Sequence, residues 1–107
     1  MTMFEDRDRA FEAKFAADEE LAFRVTARRN RLVGQWAGER MKLTPEEADA
    51  YARAVVHAEF EEAGDEDVVR KLLGDLIAAG VETDETEIRT ALDAKMVEAR
   101  RQLMSEI

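Results

Sequence analysis

The sequence predicts an all-α protein, a four-helix bundle with a flexible N-terminal segment able to form an amphipathic helix. Three observations carry that expectation. Pro45, Gly64 and Gly80 punctuate a 107-residue chain otherwise rich in Ala, Glu, Arg, Leu, Lys and Met, all good helix formers. Apolar residues recur three and four positions apart, which is the helical period. No stretch alternates apolar and polar residues as a strand would, and no internal repeat is present. A chain of this length is one domain, or one domain and a tail.

Residues 1–18 read as a separate arm, disordered or fluctuating when free. Phe4, Phe11 and Phe15 are three of the five phenylalanines and sit in the first twenty residues among ten charged side chains. On a helix they lie within roughly 40° of one another. Isolated helices of this length are marginal in water. The apolar face therefore needs a cover, which is either the chain's own bundle or another protein.

Residues 19–107 read as the bundle. A helix near 19–42 places Leu21, Val25, Leu32 and Trp36 on one face, flanked by Val33 and Ala37. That stripe lies roughly 70° from the phenylalanines, which favours two segments facing different surfaces. A second helix, near 45–63, starts at a capping box of Thr44 and Glu47 with Pro45 at the first helical position. Ala48, Tyr51, Ala52 and Val55 form its face, widened by Val56 and Phe60, and Gly64 suits its C-terminal cap. A third, near 66–79, begins at Asp65 and carries Val69, Leu72, Leu73, Leu76 and Ile77 before Gly80. A fourth, near 85–105, opens on Asp84 and Glu87 with Val81 as a staple onto Ile88. Ile88, Leu92, Met96, Ala99, Leu103 and Ile107 make its stripe. Helices joined by such short connections pack as antiparallel neighbours.

Charge narrows the function classes. The chain has 16 basic and 25 acidic residues, a net charge of −9, which argues against a surface that grips nucleic acid. Residues 21–42 carry six positive charges and one negative, while 43–67 carry one and nine. The stripe Arg24, Arg28 and Arg31 is expected to pair with that acidic neighbour ahead of any phosphate. The absence of cysteine removes disulfides, thiol nucleophiles and cysteine zinc sites. No apolar run approaches the ~18 residues of a membrane span, and the first twenty residues lack the apolar core of a signal peptide. A cytoplasmic, monomeric free protein with no direct membrane insertion is expected.

Other features have plain structural readings. Gly34 and Gly38, four apart, suggest close approach of another helix. Trp36 reads as core, and His57 as a solvated histidine without a paired base. Six acids between Glu59 and Asp67 lack the spaced loop of an EF-hand and read as surface charge at helix ends. With no phosphate loop and no nucleophile–base pair, the chain is expected to be no enzyme and to hold no metal or cofactor.

The order of residues carries a resemblance. "DRDRAFEAKFA", "EELAFRVTARRNRLVGQWA" and "FEEAGDEDVVRKLL" are similar to the zeta subunit of the F-type ATP synthase of alphaproteobacteria, over nearly the whole chain. Arg9 stands where the family pattern has lysine. The resemblance implies a regulatory inhibitor of ATP hydrolysis, peripheral to the inner membrane through the synthase. Its partner is the catalytic head, the alpha and beta subunits with gamma nearby, and its N-terminal helix inserts at a catalytic alpha/beta interface. It implies Phe4, Phe11 and Phe15 as anchors in the partner's cleft and Arg7, Arg9 and Lys14 as contacts to acidic groups around it. Arg24, Arg28 and Arg31 are secondary contacts. The alternatives are a small helical domain that senses nucleotide or metal, and a generic helical adaptor.

Overall fold

The computed structural model describes residues 3–58 and 64–106, with side chains from residue 18 onward. Among these residues there are four helices and no strand. They are α1 (Met3–Arg40), α2 (Pro45–Ala58), α3 (Glu66–Ala78) and α4 (Glu85–Ser105). The expected end of the second helix near Ala63, the contribution of Phe60 and that of Ile107 lie outside the described residues. None of the described helices is long and apolar enough to cross a membrane.

The backbone of α1 is one continuous helix of 38 residues, where the apolar pattern separates an arm from a helix starting near residue 19. Its composition explains the continuity: Met3 to Val33 contains neither glycine nor proline, the two residues most costly inside a helix. At 1.5 Å per residue α1 is about 57 Å long, and it sets the 64 Å long axis of a molecule only 26 and 21 Å across.

All four helices meet in one core. Val33 and Ala37 of α1, Val55 of α2, four residues of α3 and Ile88 and Leu92 of α4 form a single buried cluster. A smaller cluster joins only α1 and α4 through Val25, Ala99 and Leu103, with Leu32 and Met96 against it. On α3 the buried residues are Val68, Val69, Leu72 and Leu76, whereas Ile77, counted in the expected stripe, is exposed.

The inward face of α1 is also rotated from the expected one. Leu21 is exposed, and Leu32 and Trp36 are only half-buried. Val25 and the expected flanks Val33 and Ala37 are buried, and Arg29 and Asn30, which were not expected inside, join them. The glycines explain part of this rotation. A Cβ on Gly34 would stand 2.7 Å from the Cα of Ala52, and one on Gly38 would stand 2.9 Å from the Cβ of Ala48. Only hydrogen fits, so α2 settles on the glycine side of α1 and draws the buried face toward it.

The helix ends mix expected and unexpected devices. Glu47 donates its backbone N–H to Thr44 Oγ1 (3.2 Å) and accepts from the Thr44 N–H (3.0 Å), completing the capping box. Asp84 accepts from the Glu87 N–H at 2.8 Å, while the Glu87 carboxylate pairs with Arg40. Val81 packs on the cluster that holds Ile88. At the end of α3, Gly80 takes φ +82° and the Val81 N–H donates to Leu76 O. The end of α1 uses the same closure, Leu43 N–H to Gly38 O and Lys42 N–H to Glu39 O. There the left-handed residue is Lys42, at φ +61°, instead of the usual glycine. Asp65 stands at the N-terminal cap of α3 but makes no side-chain cap bond; its carboxylate accepts from Arg29 at 2.9 Å.

Candidate functional site

Phe4, Arg7, Arg9, Phe11, Lys14 and Phe15 all lie on the helical backbone of α1, and their side chains lie outside the described residues. The helix fixes their register. At about 100° per residue, positions 4, 11 and 15 share a face with positions 18, 22, 25, 29 and 33, all within roughly 80°. The offset from the Leu21–Trp36 stripe shrinks to roughly 20° when it is measured to the buried seam of Val25, Arg29 and Val33. The phenylalanine positions therefore continue the line along which α1 meets the bundle.

The secondary basic residues divide by partner. Arg24 pairs with Glu20 one turn away at 2.8 Å, both well exposed. Arg28 crosses to the end of α4, donating to Gln102 Oε1 at 2.9 Å and Glu106 Oε1 at 3.0 Å. Arg31 reaches Asp49 of α2 at 3.5 Å. Among the described residues, the expected pairing with residues 43–67 is seen for Arg31. Arg24 finds its acid on its own helix, and Arg28 finds Gln102 and Glu106 where the end of α4 lies beside that turn of α1. Arg53 also binds Asp49, and the Arg53 guanidinium, with Arg31 behind it, holds the Asp49 carboxyl below its usual range.

Together Arg24, Arg28, Arg31 and Arg53 wall an open groove of about 570 Å³ that also includes Phe23 and His57. Arg53 and Phe23 were not singled out from sequence. Nothing local marks them, since the groove exists only once α1 and α2 lie side by side.

A second groove, about 350 Å³, opens between the Asp18–Thr26 stretch of α1 and the end of α4. Leu21, Ala22 and Val25 form one wall, and Met96, Leu103 and Met104 the other, with Arg100 at the rim. Its lining is largely apolar, and Leu21 (37% exposed) and Met104 (65%) stay open to water.

A family model described as ATPase inhibitor subunit zeta matches residues 1–102. The chain belongs to that family. A solution NMR structure is similar to this zeta-family chain at 47% identity, covering 79% of this chain and 96% of its own, with a TM-score of 0.71. No relative with a curated description matches.

The motif "ARRN" in this zeta-family chain proves structural as well as basic. Arg29 is 3% exposed and Asn30 fully buried. Arg29 donates to Asn30 Oδ1 through Nε (3.0 Å) and Nη2 (2.8 Å), and to Asp65 through Nη2. A buried cation must be paired and hydrogen-bonded, so Arg29 ties α1 to the start of α3. The sequence did not single out Arg29, because one basic residue on a basic helix carries no mark of burial.

Trp36 packs against the core and carries Arg40 over its ring at 5.3 Å. Arg40 also donates to the Glu82 carbonyl at 3.2 Å. His57 is exposed at the edge of the arginine groove. Among the described residues no three His, Cys, Asp or Glu could hold a metal ion together. Part of the acidic run 59–67 lies outside them.

Proposed function

We propose that this chain restrains ATP hydrolysis by the F-type synthase as a non-catalytic regulatory subunit. The first part of α1 inserts at a catalytic alpha/beta interface of the head, and rotation in the hydrolytic direction is blocked sterically. Phe4, Phe11 and Phe15 are the anchors, since large desolvated side chains dominate such contacts. Arg7, Arg9 and Lys14 act on approach and on salt dependence. Arg24, Arg28 and Arg31 are secondary contacts around the entry. The protein then works on the cytoplasmic side, peripheral to the inner membrane through the synthase.

The observation that carries this reading, beside family membership, is the register of α1. One unbroken helix bears the phenylalanine positions in line with its own buried seam, so an insertable segment is joined to the bundle with no hinge residue between. ATPase assays of the cognate synthase with the full chain and with residues 1–18 removed test it. Loss of inhibition with the shortened chain is expected; undiminished inhibition would move the inhibitory element elsewhere.

A second reading, nucleotide sensing, draws on the arginine-walled groove beside Phe23. Arg24, Arg28, Arg31 and Arg53 already have carboxylate partners, so a polyphosphate must displace these ion pairs. Amide-shift titration with ATP and ADP decides it. Saturable shifts at Arg28, Arg31 and His57 favour the groove, and their absence removes it.

A further inference from the structure

We propose that the last turn of α4 is a clasp on α1, with Arg28 as its latch, and that this clasp sets how firmly α1 is held as helix ahead of Val25. The inference concerns residues 18–28 and 99–106 of the free chain. It stands independently of the insertion reading above.

Residues 18–24 of α1 are all exposed, and Val25 is the first buried side chain after them. The Arg24–Glu20 ion pair is internal to α1, and exposed pairs of this spacing hold a helix only weakly. So short a helical stretch does not sustain itself in water; it takes its order from the turn that follows. That turn is gripped by α4. Val25 packs with Ala99 and Leu103, and Leu32 and Met96 lie against them. Arg28 then donates through Nη1 to Gln102 Oε1 at 2.9 Å and through Nη2 to Glu106 Oε1 at 3.0 Å. One guanidinium thus bridges two acceptors on successive turns at the end of α4. The neighbouring Arg29 turns elsewhere, to Asn30 and to Asp65 at the start of α3.

The dependence runs both ways. α4 has no basic residue in its last turn, where the helix dipole leaves partial negative charge and carbonyls without helical partners. Arg28 brings the missing cation from another helix. The latch also lies outside the main core. Its two charged side chains reach solvent, Arg28 at 29% and Glu106 at 57% exposure, and the cluster that joins all four helices begins on α1 only at Val33. Opening the clasp is therefore a local event, confined to the front of α1 and the last turn of α4.

Native-state amide hydrogen exchange on the full chain tests it. The double variant Gln102→Ala, Glu106→Ala removes both acceptors and leaves the sequence of α1 untouched. Amides 22–28 are expected to exchange roughly tenfold faster than in the parent, with those from Val33 to Gly38 unchanged. Arg28→Gln should give the reciprocal result, faster exchange from Leu103 to Glu106, because coupling between two segments acts in both directions. Asp93→Ala, at an exposed acid nearer the start of α4, should do neither. Unchanged exchange at 22–28 in the double variant overturns the proposal, since the end of α4 would then hold nothing on α1. A uniform loss of protection across all four helices overturns it as well, because the contact would then be an ordinary part of global stability and no clasp.

Discussion

From Val33 to Arg40 each turn of α1 meets a specific neighbour. Gly34 lies against Ala52 and Gly38 against Ala48, Val33 and Ala37 are sealed in the core, and Arg40 reaches Glu82 and Glu87. Between Asp18 and Val25 the same helix buries only Val25, and a groove opens beside it. Propensity does not separate the two stretches, since the glycines lie in the better packed one. The difference is what stands opposite: α2 and α4 at one end, the terminus of α4 at the other. In this bundle the glycines mark the tight end of the helix and good helix formers its open end.

Enlarging the tight end has the largest expected effect on stability. Gly34→Leu forces a side chain into the Ala52 backbone and should cost roughly 3 kcal/mol or more, seen as a lower urea midpoint with an unchanged slope. A neutral result would mean that the helices can part without penalty, and the contrast between the ends would collapse. Midway along α1, Arg29→Ala removes two donors from buried Asn30 Oδ1 and one from Asp65. The expected loss is about 1–3 kcal/mol, measured the same way.

Tyr51→Phe probes the α2–α3 contact, where the phenol donates to Asp75 at 2.7 Å beside Lys71. About 1 kcal/mol should be lost near neutral pH. Burial, and then the Asp75 carboxylate, raise the Tyr51 phenol above its usual 10.0. The folded chain therefore keeps its proton where the unfolded chain ionises, and stability falls as pH rises past about 10. The phenylalanine variant should show a flatter alkaline limb in melts from pH 9 to 11. The smallest effect belongs to the open end. Removing residues 1–17 should move the unfolding free energy by less than about 0.5 kcal/mol, and a larger shift would mean that the first turns of α1 are part of the folded core.

What could be read from sequence follows the range of the interactions. The Thr44–Glu47 box, the Asp84 cap and the Gly80 turn were legible because each is settled within four residues. The stop after α1, expected near residue 42, falls at Arg40, but its device was not legible, because Lys42 adopts a backbone angle that its side chain does not advertise. Asp65 was assigned to its own helix, yet Arg29, 36 positions earlier, takes its carboxylate. Part of the α1 stripe was misjudged for a related reason, while Val25 and its flanks Val33 and Ala37 were read correctly. Leu21 and Trp36 look more apolar than Arg29 and Asn30, and only the approach of α2 and α3 shows which set turns inward. Both grooves depend on helices distant in sequence, so their lining residues were visible one at a time and not as sites.

The glycine notch also has a mechanical side. Gly34 and Gly38 have no side chain to change rotamer, and Ala48 and Ala52 have only a methyl. A thrust delivered along α1 thus meets a joint with almost no slack, and the bundle should take the load as a whole instead of cushioning it locally.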